Sequence, residues 1–312
     1  MERLRAAIIG CGGIARILHN PVLVGMDEVD ITTFVDINVE RLEQQADRFH
    51  IPRRFPSVEA FLEKPEVDCA FVATGPYAHA EPSIAIMEAG IDVFCEKPLA
   101  RTLEEVRAMA AAAEKTDRVF MAGFNRRWMP AYLEAKKVFD DCPMDILSIE
   151  KNKPGLRERR CLLNDGIHMV DTMRWLCGEP TQVRAFALVT DGDPERERAI
   201  VANIEFDSGT LGALVIHRNG GKWLEKAELY GGGYTVIVDA ADDTYICHED
   251  KEERIHVSSW ASLGHRLGFV GEFTHFLECV REHRQPMTNG EDALKTHELV
   301  HEIYTQAGLP GL

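Results

Sequence analysis

The chain has 312 residues, 45% of them hydrophobic, and a formal net charge of −16. That length exceeds a single small core and predicts two domains. So negative a balance argues against non-specific binding to nucleic acid or to an anionic membrane, because both need a positive field.

No apolar run approaches a membrane span, and the opening "AAII" is shorter than an export signal requires, so a cytoplasmic protein is expected. Eight cysteines (Cys11, Cys69, Cys95, Cys142, Cys161, Cys177, Cys247 and Cys279) are scattered without a C-x-x-C pair. They read as reduced thiols, with neither a disulfide frame nor a zinc site, and no metal is expected.

In chain order, residues 5 to 123 alternate short apolar runs with helical patterns: "AAIIG", a helix from Ile14, "ITTFVD", a helix from Val39, "DCAFVA", a helix from His79 to Ala89, "IDVFCE", a helix from Leu103 and "VFMAG". Near-continuous apolar strands separated by helices predict a doubly wound parallel sheet, the Rossmann arrangement, covered on both faces. Thr102 and Glu105 have the spacing of a capping box. Beyond residue 124 comes a helix holding His168, then strand-like runs joined by turns such as Asp207-Ser208-Gly209. These predict an α+β domain on a largely antiparallel open sheet. The predicted domains are therefore 1–124, dinucleotide-binding, and 125–312, substrate-binding and oligomerising, with C-terminal helices free to pack back on the first.

Leu211 to Ile216 is apolar except at Gly212, where a strand with one wet face should alternate. Both faces of that strand are expected to be covered, by helices of the chain or by a second subunit. Phe269, Phe273, Phe276, Leu277 and Val280 recur at helical spacing and predict core packing.

The chemistry begins at Gly10-Cys11-Gly12-Gly13-Ile14-Ala15, a G-x-G-x-x-A loop between the first strand and first helix. Gly10 suits the tight turn, Gly12 lets backbone approach a pyrophosphate, and Ala15 lets helix pack close on strand. Asp36 ends the second strand, where a carboxylate accepts from ribose hydroxyls. Ile37 follows it in place of a polar or basic residue, so NAD is favoured; Arg41 leaves NADP open. Glu96, Lys97 and Pro98 end a later strand at the edge where open α/β sheets bind ligands. An ammonium there can stabilise charge developing on oxygen. In "LLNDGIHMVDTMRWLCG", Asn164, Asp165 and His168 lie within one helical turn, with Met169, Met173, Leu176 and Cys177 predicted to form the opposite, buried face and Gly178 to end the helix.

The combination of "IIGCGGIA", "ATGPYAHAEPSIAIMEAGIDVFCEKPLA", "GFNRRWMPA" and "NDGIHMVDTMRWLCGEP" resembles the Gfo/Idh/MocA oxidoreductases, named after glucose-fructose oxidoreductase and inositol dehydrogenase. The likeness implies that Lys97 bonds the reacting hydroxyl and reaches the nicotinamide ribose, and that His168 is the general acid/base. It places Thr74, Gly75 and His79, with Glu96, on the nicotinamide side, Arg126 near the cofactor and Arg127 near the substrate. It also implies a homodimer or homotetramer formed through the second sheet. One departure stands out: the family commonly has Asp four residues before the histidine, and here that residue is Asn164. An amide orients an imidazole but holds no proton, and Asp165 is the candidate to replace it.

A basic stretch, "KNKPGLRERR", gathers Lys151, Lys153, Arg157, Arg159 and Arg160 against Glu158 just before that helix. Beside an active site it would attract an anionic sugar derivative; read structurally it is a solvated loop. The expected function is NAD(P)-dependent hydride transfer at a hydroxyl or carbonyl carbon of a sugar, sugar derivative or cyclitol. Two other readings stay open: a redox-inactive NAD-binding accessory protein, suggested by Asn164, and an NAD-dependent glycosidase.

Overall fold

A computed structural model describes residues 2–155 and 159–312. The chain divides into two compact units, Met1–Phe124 with Phe269–Leu294, and Asn125–Gly268 with Lys295–Leu312.

The first unit is built on six parallel strands: β1 (Leu4–Ile9), β2 (Val29–Val35), β3 (Arg53–Phe55), β4 (Cys69–Val72), β5 (Asp92–Glu96) and β6 (Phe120–Gly123). Their order is β3-β2-β1-β4-β5-β6, the reversal beside β1 that defines a doubly wound sheet. Between them run α1 (Asn20–Val24), α2 (Val39–Phe49), α3 (Val58–Leu62), α4 (Ala80–Glu88) and α5 (Leu103–Thr116). A turn of π-helix, Ala15–His19, precedes α1. β4 and β5 are buried at every position, as strands covered on both faces must be. The capping box at the start of α5 is present: Thr102 Oγ1 accepts from Glu105 N, and Thr102 N donates to the Glu105 carboxylate.

The second unit holds α6 (Pro130–Phe139), α7 (Ile167–Cys177) and an eight-stranded sheet: β7 (Ile146–Lys153), β8 (Pro180–Thr190), β9 (Asp193–Phe206), β10 (Leu211–Arg218), β11 (Leu224–Gly231), β12 (Tyr234–Asp239), β13 (Asp243–His248) and β14 (Lys251–His256). The order is β14-β13-β12-β11-β7-β10-β9-β8, antiparallel throughout except for the β7–β10 pair. The chain continues through α8 (Leu263–Arg266), α9 (Phe269–Glu282) and α10 (Gly290–Gln306). In the first unit Phe273 and Phe276 of α9 pack edge-on against Phe71 and Phe94, with ring centroids 5.2–5.8 Å apart.

One alternative for β10 and one expectation for α7 need correcting. Strand β10 is not covered on both faces within the chain: Gly212, Leu214, Ile216 and Arg218 point inward under α7, while Leu211, with Val201 of β9 and Phe186 and Leu188 of β8, is exposed, Phe186 by 74%. The apolar run reflects an outer face that is itself apolar. Helix α7, in turn, has no wet side at His168: that residue is 6% exposed, and Asp171, Thr172 and Arg174 are buried too, whereas Leu176 is half-exposed. Asp171, Thr172 and Arg174 survive there because they are hydrogen-bonded, to Arg127, His168 O and Thr296. Among the described residues no helix is long and apolar enough to cross a membrane, and all eight cysteines are free.

Candidate active site

In the first unit the glycine loop opens onto a cleft of about 630 Å³ lined by Gly10, Gly12, Gly13, Ile14, Asp36, Ile37, Thr74 and Gly75, with Arg41 and residues of α3 and α4. Each glycine is explained by its surroundings. Gly10 has φ +96°, and a Cβ would stand 2.7 Å from Ala73 O, so both backbone and space demand glycine. At Gly12 and Gly13 a Cβ would meet nothing within 4 Å; there the bare backbone is open to a ligand. Ala15 is fully buried, under the loop and not on the cleft wall.

Asp36 fixes the far side of the cleft. Its carboxylate accepts from Cys11 N (2.7 Å), Asn38 N (2.7 Å), and Arg41 Nε and Nη2 (2.9 and 2.7 Å). Burial opposes its charge, but the Arg41 fork and the two amides outweigh that and hold the carboxyl below its usual range. The loop and the acid are thereby tied into one rigid piece. Open backbone at Gly12 and Gly13, an ionised acceptor at Asp36 and the volume between them fit a dinucleotide, whose phosphates would lie against the loop and whose adenosine ribose would face Asp36.

Glu96 and His79, expected on the nicotinamide side, both hydrogen-bond around the turn that carries Lys97. Glu96 is buried, accepts from His19 Nε2 at 2.7 Å and takes the amide of Lys97 at 3.1 Å. Burial works against its charge, yet the His19 contact keeps it below the usual carboxylate range. His79 has Nδ1 2.8 Å from Pro98 O and Nε2 3.2 Å from Thr74 O, and burial pushes its pKa down against the pull of those two carbonyls. Together they brace the turn that carries Lys97. His19 escaped the sequence reading, since nothing local marks it; its partner lies two strands away in the sheet order.

In the second unit each member of the arginine pair forms a fork with a carboxylate. Arg126 forms a fork with Glu225 (2.9 and 2.7 Å), and Arg127 another with Asp171 (2.9 and 2.7 Å). Asp171 Oδ1 also accepts from Thr296 Oγ1 at 3.0 Å, and Thr296 in turn accepts from Arg174 at 2.7 Å. These guanidiniums clamp the turn Asn125–Trp128 to β11 and α7. Arg160 is likewise committed: it donates to the carbonyls of Pro310 and Gly311 at 2.8 Å and stacks on Tyr304. Arg159 is exposed and pairs with Asp193 and Glu195. Arg157 lies outside the described residues.

Asp165 and His168 sit where the chain enters α7 through a π-turn, Leu162–Gly166. Gly166 permits it: a Cβ would stand 2.9 Å from Leu162 Cδ1 and 3.1 Å from Ile216 Cγ1. Asp165 accepts from Lys153 at 2.7 Å and pairs with Lys151 at 3.4 Å and Arg218 at 3.3 Å. Lys151 also meets Glu225 at 3.0 Å. Burial, with Arg126 nearby, lowers Lys151 to about 8 against the pull of Glu225 and Asp165. Glu225 goes the other way: burial opposes its charge, but Arg126 and Lys151 bring it to about 2. Asn164 donates its amide to Arg159 O and contributes no charge. Neither Arg218 nor Glu225 stood out in the sequence. Among the described residues no group of three or more His, Cys, Asp or Glu side chains could hold a metal.

A dinucleotide cleft on a doubly wound sheet, in a chain whose second unit carries a buried histidine on α7, fits a nucleotide-dependent oxidoreductase. Residues 4–124 match the model of an oxidoreductase family with an NAD-binding Rossmann fold, and residues 148–235 match that of the GFO/IDH/MocA C-terminal domain. The chain is 31% identical to a levoglucosan dehydrogenase of Pseudarthrobacter phenanthrenivorans over 77% of its length and 70% of that protein's. It is 26% identical to a D-apiose dehydrogenase of Paraburkholderia graminis over 98% and 88% of the two chains. In fold it is similar to an Agrobacterium radiobacter oxidoreductase solved with NAD+, L-tartaric acid and magnesium, with a TM-score of 0.89, 20% identity, and 98% and 97% of the two chains covered. The protein belongs to the Gfo/Idh/MocA family and is an NAD-dependent oxidoreductase.

Proposed function

We propose that the protein is a dehydrogenase oxidising a hydroxyl of a sugar, sugar derivative or cyclitol, with Lys97 and His168 as its catalytic residues. The observation that carries this reading is the buried imidazole of His168, three residues after an Asp165 carboxylate that accepts from Lys153, in a chain whose glycine loop presents open backbone to a dinucleotide. When bound, NAD supplies the hydride acceptor. The Lys97 ammonium, at the end of β5, bonds the substrate's reacting oxygen and steadies the charge that grows on it. His168 takes the hydroxyl proton from that oxygen. Asp165, three residues earlier, supplies the carboxylate that Asn164 lacks, and favours the protonated imidazole as the proton arrives.

The ionised Asp36 supports NAD over NADP, because a 2′-phosphate would face that carboxylate. The exposed apolar face of β8, β9 and β10 supports assembly as a homodimer or homotetramer, and eight free thiols suit a cytoplasmic setting. The test is NAD and NADP reduction across sugars, sugar acids, cyclitols and nucleotide sugars. Failure of every substrate to reduce either cofactor would sink the reading.

A further inference from the structure

The cofactor cleft of the first unit carries a polar group that the phosphates and ribose of a dinucleotide do not use. The polar side chains on its wall are those of Asp36, Arg41, Ser57, Glu59, Thr74 and Glu81. All but the last have partners within the chain. Asp36 and Arg41 form the fork described above, and Thr74 Oγ1 donates to Ala78 O at 2.7 Å. Ser57 caps α3, its Oγ accepting from Ala60 N at 3.2 Å. The same hydroxyl donates to the Glu59 carboxylate, which that bond holds below its usual range. The Glu81 carboxyl group alone among these makes neither a hydrogen bond nor an ion pair among the described residues.

Glu81 stands in the first turn of α4, directly before Pro82. Pro82 and Ala85 of α4, Val58 and Leu62 of α3, and Ile37 just beyond β2 form an apolar part of the same wall. Ile37 is 86% exposed and the other four are half-exposed, apolar surface of the kind that lines ligand grooves. Asp36, the acceptor for the adenosine ribose, immediately precedes Ile37, so the base carried by that ribose falls among these side chains. Apolar walls cover the faces of a purine ring, and a few polar groups fix its orientation and identity. The purines differ at one edge: adenine carries an amino group, a donor, where guanine carries an oxygen, an acceptor. Hypoxanthine carries the oxygen too. A site that bonds an N–H discriminates against an analogue lacking it.

We propose that Glu81 is the base-reading residue of the cleft, its carboxyl group accepting from the amino group of adenine and meeting, in hypoxanthine or guanine, an oxygen that offers it no hydrogen. Glu59 lines the same cleft but is taken up by the Ser57 cap. The assignment concerns the adenosine half of the cofactor and goes beyond the dehydrogenase reading, since it holds whichever hydroxyl is oxidised.

Calorimetry on the full chain would compare NAD with nicotinamide hypoxanthine dinucleotide, in which an oxygen replaces that amino group. The protein should bind NAD about tenfold more tightly, the yield of one hydrogen bond to a carboxyl group. Glu81→Ala should weaken NAD alone and bring the two affinities to within about threefold of each other. Glu81→Gln, whose amide offers a donor as well as an acceptor, should keep most of the NAD affinity and tighten the hypoxanthine dinucleotide. Because Glu81 is exposed, both variants should melt as the unaltered protein does. Equal binding of the two dinucleotides by the unaltered protein, a preference that survives in Glu81→Ala, or one lost in Glu59→Gln instead, would overturn the assignment. A sugar panel that yields no NADH would remove the dehydrogenase reading and leave this comparison to decide the role of Glu81.

Discussion

Asp36 in the first unit and the ionic cluster of the second are satisfied in opposite ways. In the first, Asp36 is satisfied by neighbours close in sequence, Asn38 and Arg41, and by one amide of the adjoining glycine loop. In the second, Arg126, Lys151, Lys153, Asp165, Arg218 and Glu225 come from a turn, three strands and the lead-in to a helix. A site of the first kind is contiguous and survives as a motif. One of the second kind exists only through strand register, so its members can be exchanged between positions without leaving a signature in any one segment.

The sharpest test of this division is catalytic. Lys97→Met should cut the rate of NADH formation by about 10²–10³-fold while NAD affinity stays within about threefold, and His168→Gln should lose about 10²–10⁴-fold in kcat. Steady-state rates with NAD titration measure both. If the histidine variant keeps its rate, catalysis resides in the first unit alone and the second becomes a binding surface.

A smaller effect separates the glycines. Gly10→Ala should lower the melting temperature, costing about 1–3 kcal/mol for forcing a side chain into a left-handed backbone, whereas Gly12→Val should melt normally and lose cofactor affinity. Identical behaviour of the two would show that the open backbone at Gly12 has no ligand role. Asp36→Ser comes next: it removes the acceptor for ribose hydroxyls and frees Arg41, so the ratio of kcat/KM for NAD over NADP should fall by about tenfold or more. An unchanged ratio would place nucleotide discrimination elsewhere.

The last and smallest is a pH effect in the second unit. Glu225 has a folded pKa near about 2 against an ordinary 4.5, so its charge contributes stability above the higher value, and that contribution disappears as pH falls from 4.5 toward about 2. Glu225→Gln should therefore flatten the decline in melting temperature over that window as well as lower stability at neutral pH. An unaltered slope would mean that the Arg126 and Lys151 contacts are not what holds this carboxyl ionised.

Much of the first unit could be read directly. The glycine loop, Asp36 and the capping box at Thr102 depend on residues a few positions apart, and so did the end of α7 at Gly178, whose φ is +91°. The protein partners of Arg126, Arg127, Arg160, Glu96 and His79 were not legible. Each was marked as polar and near the chemistry, but its hydrogen-bonding partner, Glu225, Asp171, Pro310, His19 or Pro98, is distant in sequence. The same holds for the outer face of β10, where an apolar run does not distinguish a covered surface from an exposed one.

Sequence alone determined the architecture of the two units, the strand-to-helix order of the first, and the kind of cofactor its loop accepts, because periodicity and backbone chemistry act over short stretches. Tertiary structure decided which charges face one another. The pairing of β7 with β10 and β11 brings Lys151, Lys153, Arg218 and Glu225 to one face, where the first three meet Asp165.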